Sequence, residues 1–252
     1  MRKKEKETSL EKIESSGPCV IVGTHAVIQP NIMPSSLGVV IVDEQHRFGV
    51  QQRMHFSRGN CHPHALFLSA TPIPRSLVLT VYGDLEKTIL DKLPPGRKPV
   101  KTVFLKPNNL GKIYEFCRKE LSQGRQVYLV YPLVETSEKI DLKAAIEAYE
   151  ELSEEEFFGY SVGLMHGQLT PKEKTEVMNQ FKSKETQVLV ATTVIEVGVD
   201  VPNANVMVIH HAERFGLSQL HQLRGRVGRG SEAATCFLVG DPKTDSGKSR
   251  LQ

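Results

Sequence analysis

An apolar run, Val39 to Val42, leads without a break into Asp43-Glu44-Gln45-His46. A short β-branched run closed by acids describes a strand with carboxylates at its carboxyl end. In open parallel sheets ligands collect at that end. There an aspartate can hold Mg²⁺ beside a bound nucleotide while the adjacent glutamate polarises an attacking water. A solvated strand end is the plainer reading, because many strands finish in Asp or Glu. The next apolar run, Leu66-Phe67-Leu68, ends in Ser69-Ala70-Thr71, whose small hydroxyls are placed to sense Asp43 and Glu44. Taken alone, that tripeptide is a helix cap.

Toward the other end, Gln219-Leu220-His221-Gln222-Leu223-Arg224-Gly225-Arg226-Val227-Gly228-Arg229-Gly230 interleaves arginines with glycines. Planar guanidinium groups suit bidentate phosphate contacts and the neutralisation of transition-state charge, and the glycines let the backbone approach a ligand closely. A generic basic loop is the alternative. Between these strings, Ala191-Thr192-Thr193-Val194-Ile195-Glu196-Val197-Gly198-Val199-Asp200 follows another apolar run. Threonine hydroxyls and free amides at a strand-to-helix turn make good contacts to a nucleic-acid backbone. Gly198 and Asp200 are candidates to approach a ribose and the arginines, with a purely structural turn as the competing reading.

One string is missing. A phosphate-binding loop reads GxxxxGK[ST], its backbone amides cradling phosphates that its lysine also reaches. Nothing in the chain matches: Gly247-Lys248-Ser249 has Pro242 where the first glycine belongs, and only Arg250, Leu251 and Gln252 follow.

These residues need parallel sheets to position them. β-branched runs recur at Val20 to Val22, Val39 to Val42, Leu66 to Leu68, Val127 to Tyr131, Val188 to Val190, Val206 to Ile209 and Cys236 to Val239. Strands alternating with helical patterns predict an α/β fold with covered parallel sheets. Thr170-Pro171-Lys172-Glu173 is a capping box with proline at the first helical position, followed by Val177 and Phe181 on one face. A second helix is expected over 137–158, with Leu142, Ile146, Tyr149 and Leu152 as its buried stripe. Leu93-Pro94-Pro95-Gly96-Arg97-Lys98-Pro99 interrupts this rhythm, since neither Pro nor Gly suits an element interior. The predicted division is therefore 1–95, an incomplete first domain; 96–240, a complete second one; and a tail, 241–252.

At 252 residues with 39% hydrophobic and 24% charged side chains, the composition suits two small globular domains. A net charge of +3 means that any polyanion must be held by a local basic surface. Cys19, Cys61, Cys117 and Cys236 are far apart, which disfavours zinc and disulfides and suits reduced thiols in the cytoplasm. No apolar run approaches a membrane span, and the Glu-rich start argues against a targeting peptide.

Together these strings resemble superfamily 2 helicases. VGTHAVIQ resembles motif Ib, DEQHRFGVQQR motif II, SATPIPRSL motif III, VYPLVETSEK and LMHGQLTPKEK the motif IV region, ATTVIEVGVDVPNA motif V and QLHQLRGRVGRG motif VI. The resemblance implies two RecA-like domains of the P-loop NTPase fold, with ATP and Mg²⁺ as cofactors. The partner it implies is branched or forked DNA, remodelled in repair and recombination. Asp43 and Glu44 would serve Mg²⁺ and water, His46, Ser69 and Thr71 the coupling of nucleotide state, and Arg226 and Arg229, beside Gln222, the transition-state phosphate. Gly23, Thr24, His25, His166, Gly167, Thr192 and Thr193 would face the DNA backbone. Motors that couple transcription to repair or restart replication share motifs III to VI and remain an alternative. So does a non-catalytic DNA-binding remnant. The phosphate loop and the wedge domain that engages branched DNA are expected to belong to the same protein outside this chain. The chain alone is expected to lack ATPase activity, and its first domain to expose apolar surface.

Overall fold

The computed structural model describes residues 8, 11–13, 17–24, 27, 37–43, 63–69, 86–132, 138–192 and 200–242, with side chains of the helix at 138–144 excepted. The chain forms two compact units, Met1–Lys87 and Thr88–Gln252.

In the first unit, β1 (Val39–Val42) pairs in parallel with β2 (His64–Phe67), Val39 opposite His64 and Val42 opposite Phe67. Side chains alternate across a strand, so Val40 and Val42 are buried while Val39 and Ile41 point outward and are exposed, as is Leu66 on β2. The run Val20 to Val22 is not a strand. β-branched residues form strands only where a neighbour completes the ladder; none of the described residues pairs with this run, and Val20 and Val22 are exposed.

The second unit is built on a six-stranded parallel sheet of β3 (Lys101–Leu105), β4 (Gln126–Tyr131), β5 (Val162–Met165), β6 (Val188–Thr192), β7 (Ala204–Ile209) and β8 (Thr235–Val239), in the order β3-β8-β7-β4-β6-β5. The inner strands β4, β6, β7 and β8 are buried almost throughout, on both faces, which is why their apolar runs are continuous. Alternation along β4 sorts the core into two. Tyr128 and Val130 join Met178 and Phe181 of α3 (Pro171–Lys182) and Leu220 and Leu223 of α4 (Leu217–Arg224) on one face. Val127 and Leu129 meet Ile113, Cys117 and Leu121 of α1 (Leu110–Ser122) on the other.

The Thr170 capping box is complete: Thr170 accepts from the Glu173 amide while Glu173 accepts from the Thr170 amide. Met178 is buried with Phe181, whereas Val177 is only partly so. The helix expected over 137–158 is α2 (Glu138–Glu151), which passes into a π-helical turn at Leu152–Glu156. That turn buries Leu152, packs Tyr149 partly against the same core and leaves Phe158 exposed; Leu142 lies outside the described side chains. The proline-rich segment has no regular structure, and its end is fastened to the second unit. The Arg97 Nε donates to the Gly228 carbonyl, 3.1 Å away, and Val100 packs against the core. Among the described residues no helix is long and apolar enough to cross a membrane.

Candidate nucleotide and nucleic-acid site

In the first unit the Leu68 amide donates to the Val42 carbonyl, 2.8 Å, carrying the ladder from the last residue of β1 past the end of β2. Asp43 and Ser69 therefore leave β1 and β2 at the same, carboxyl edge. A carboxylate and a hydroxyl are hard oxygen donors of the kind Mg²⁺ selects. Gly23 and Thr24 are exposed in a turn closed by the Val27 amide on the Thr24 carbonyl, 3.0 Å. Glu44, His46, Thr71 and His25 lie outside the described residues, as do Thr193 and Gly198.

In the second unit the residues divide between the two edges of the sheet. Parallel strands share their carboxyl ends, and strand register sets the order there. Met165 lies opposite Ala191, Tyr131 opposite Thr192 and Val130 opposite Ile209. The row at this edge is thus His166, Thr192, Tyr131, His210, with Gly167 following His166. Sequence reasoning selected the first two and missed Tyr131 and His210, although each stands, like Asp43, at the end of an apolar strand. The Tyr131 and His210 rings are stacked, centroids 4.2 Å apart and planes within 10°, and the Tyr114 hydroxyl lies 3.5 Å from His210 Nε2.

Buried polar atoms normally find partners. Among the described residues the exceptions are His166 Nδ1, Thr192 Oγ1 and Glu213 Oε2. The first two stand in the row; Glu213 follows β7 and lies against Gly240, just past the end of β8. Here too His211 takes a left-handed conformation, φ 50°, of the kind that concentrates at functional edges. Its Nδ1 is 3.6 Å from Glu213 Oε1.

Burial, aided by the neighbouring His211, pushes the His210 imidazole down to about 3, so it is neutral in the folded chain. An unfolded histidine titrates near 6.5. Between those values the unfolded chain binds a proton that the folded one does not. The His210 contribution is therefore complete above pH ~6.5 and drains as pH falls, by about 1.4 kcal/mol per pH unit. His210→Phe keeps a ring against Tyr131 and removes the titration. Urea unfolding at pH 7, 6 and 5 should show the variant losing less stability than wild type; parallel losses would refute the assignment.

The arginines lie at the opposite, amino-terminal edge. α4 carries the chain back from the carboxyl edge, and the turn after it is fastened there by the Gly228 amide donating to the Ala204 carbonyl at the start of β7, 3.4 Å. The Arg229 Nε donates to the Gly225 carbonyl at 2.9 Å, and its Nη1 is 3.6 Å from Asp200 Oδ1. Burial raises the Tyr128 hydroxyl well above its ordinary value, while Arg226 and Arg229 pull it back and Asp200 opposes them. All three charges thus act on one buried phenol, a residue missed in the sequence because it sits inside an ordinary strand. Gln222 is half-buried on α4, the helix leading into this turn.

Sequence reasoning gave the glycines here to the approach of a ligand, and two of them are also required by packing. Gly228 has φ +68°, and a Cβ on it would come within 2.9 Å of Val100 and 3.0 Å of Ala234; one on Gly230 would come within 2.7 Å of the Pro202 carbonyl. Gly228→Ala combines left-handed strain of about 1–2 kcal/mol with these contacts. It should lower the urea midpoint of the second unit clearly, where an unchanged midpoint would show that the turn is not held as described.

Residues 106–231 match the model of the helicase conserved C-terminal domain. The chain is 53% identical over 233 residues to the ATP-dependent DNA helicase RecG of Synechocystis, covering 92% of this chain and 28% of that protein. It is 48% identical over 249 residues to RecG of Bacillus subtilis, covering 99% and 36%. The chain therefore spans about a third of the length of these relatives. Among solved structures, RecG bound to a three-way DNA junction superposes with a TM-score of 0.71 at 46% identity, covering all of this chain and 32% of that one. The yeast protein Dbp5 bound to RNA and ADP BeF3 reaches 0.60 at 16% identity, a likeness of fold alone.

Proposed function

Given that this chain belongs to the family of helicase conserved C-terminal domains, we propose that it is part of an ATP-dependent DNA helicase or translocase of the RecG type, acting on branched or forked DNA. The observation that carries the reading is the division of the second unit into two edges. Arginines gathered with an aspartate line one, and unpartnered buried polar atoms follow the strand ends at the other. Two differently equipped edges suit a protein that takes two ligands, a nucleotide and a nucleic-acid backbone.

In this reading Asp43 holds Mg²⁺ and Glu44 polarises the attacking water. Mg²⁺, when bound, offsets phosphate charge. Arg226 and Arg229 donate to phosphate oxygens, with Gln222 beside them. Gly198 and Asp200 approach the ribose, and His46, Ser69 and Thr71 respond to whether a phosphate is present. His166, Gly167, Thr192 and Thr193, with Gly23, Thr24 and His25 of the first unit, follow the DNA backbone. Contacts of this kind orient a strand without reading its sequence.

The test is binding of the 252-residue chain to a fluorescent forked duplex. Anisotropy titrations between 50 and 200 mM salt (about the range over which backbone contacts lose most affinity) should show binding that weakens steeply with salt. Absence of binding, or binding indifferent to salt, would sink the proposal.

A further inference from the structure

The loop from β5 to α3 is tied to a lysine of the helix that follows it. Lys174 lies in the first turn of α3, its amide donating to the Thr170 carbonyl at 3.0 Å. Its Nζ reaches back along the helix to the Gly167 carbonyl, 2.8 Å. An ammonium has three donors, so two remain for another partner.

The obvious carboxylate is engaged elsewhere. Glu173 accepts from the Thr170 amide at 2.7 Å and from its hydroxyl at 2.6 Å, and these bonds pull its pKa down. None of the described residues forms an ion pair with Lys174. The neighbouring positive end of α3 adds to an unneutralised charge rather than offsetting it. Lys174 also acts on His166, whose imidazole is pushed below its ordinary value by burial first and by the Lys174 charge second, with Glu173 opposing. Lys172, in the same turn, is exposed and has no such tether.

A lysine on a surface normally surrenders side-chain freedom when it takes a ligand, about 0.5–1.5 kcal/mol. Lys174 has surrendered much of it already, to a carbonyl within the loop assigned above to DNA. We propose that Lys174 is a further phosphate-contacting residue of the nucleic-acid edge, its ammonium fixed at Gly167 so that its free donors take one phosphate of the DNA backbone. The inference rests on the DNA-binding reading of His166 and Gly167. It differs from that reading in assigning an ion pair, and therefore a counterion, to one named side chain.

Counterion release makes that assignment measurable. Each phosphate neutralised contributes about 0.7 (single strand) to 0.9 (duplex) to the slope of log K against log salt. The anisotropy titrations on forked DNA should give Lys174→Gln a slope smaller by about that amount, while Lys174→Arg and Lys172→Gln keep the wild-type slope. Because Lys174→Gln also removes the Gly167 tether, a second measurement uses the unsubstituted chain. Limited lysine acetylation, read by mass spectrometry, should find Lys174 protected by DNA and Lys172 not. A wild-type slope in Lys174→Gln, or equal acetylation of Lys174 with and without DNA, overturns this inference while leaving the proposed function standing. Failure of the wild-type chain to bind DNA overturns both.

Discussion

The 252-residue chain, purified alone, is expected to hydrolyse ATP no faster with forked DNA than without it. Hydrolysis of a nucleoside triphosphate asks the protein chiefly to position phosphates and to offset their charge. Asp43, Glu44, Arg226 and Arg229 can act only on phosphates that are already held. The backbone cradle and lysine that hold them belong to a GxxxxGK[ST] string, which these 252 residues do not contain. Removing a single preorganised donor from a site typically costs about 10²–10³ in rate, and here a whole cradle is missing. Turnover is expected at least ~10³-fold below an ordinary enzyme rate of about 10 s⁻¹. A coupled phosphate-release assay with and without DNA, with Glu44→Gln as control, decides the matter. Robust DNA-stimulated turnover abolished by Glu44→Gln would show that other residues of this chain grip the phosphates.

Phe181→Ala is expected to remove a large share of the second unit's stability. The ring is fully buried between α3 and the sheet, its centroid 4.7 Å from that of Tyr128. The Phe181 carbonyl accepts from the buried Gln126 amide, which also donates to the Thr186 carbonyl at 2.8 Å. Truncation leaves a cavity whose lining belongs to a fixed sheet, so the cost sits in the range of about 3–5 kcal/mol, against a total of about 5–15 for a domain. The urea midpoint should fall with little change in slope. The damage should also reach the arginine edge, because Tyr128, which loses its partner, is under the influence of the Arg226, Arg229 and Asp200 charges. Phe158→Ala is the control: that ring is 81% exposed, and its loss should cost little. A cost below about 1 kcal/mol for Phe181→Ala would contradict the packing described.

The contrast between Phe181 and Phe158 marks where sequence ceases to inform. Some of the fold was legible because its signals are local. The Thr170 capping box needs only four consecutive residues to close its hydrogen bonds, and α3 begins where they say it does. β4, β6 and β7 were legible because strands buried on both faces must be apolar along their whole length. β3 and β5 were not. Each has a single neighbour, and their sequences, Lys101–Leu105 and Val162–Met165, carry a lysine and a glycine that an inner strand would not tolerate as readily. Val20 to Val22 erred in the other direction: its residues favour a strand, but pairing depends on a partner that no local run can supply.

For the site, residue types and order alone determined that acids end one apolar run, that hydroxyls end others and that arginines cluster late, and with them the kind of chemistry available. Chemical type is a property of the side chain and survives without a fold. Only the tertiary structure decided which of these groups share an edge. Parallel register put Tyr131 and His210 in line with His166 and Thr192, and the return of α4 brought Arg229 to Asp200 at the other end of the same strands. It also gave Gly228 and Gly230, beside the arginines, a tight fit against Val100, Ala234 and Pro202. Distances between residues remote in the chain are set by how strands pair and helices return, and no single stretch of sequence contains them.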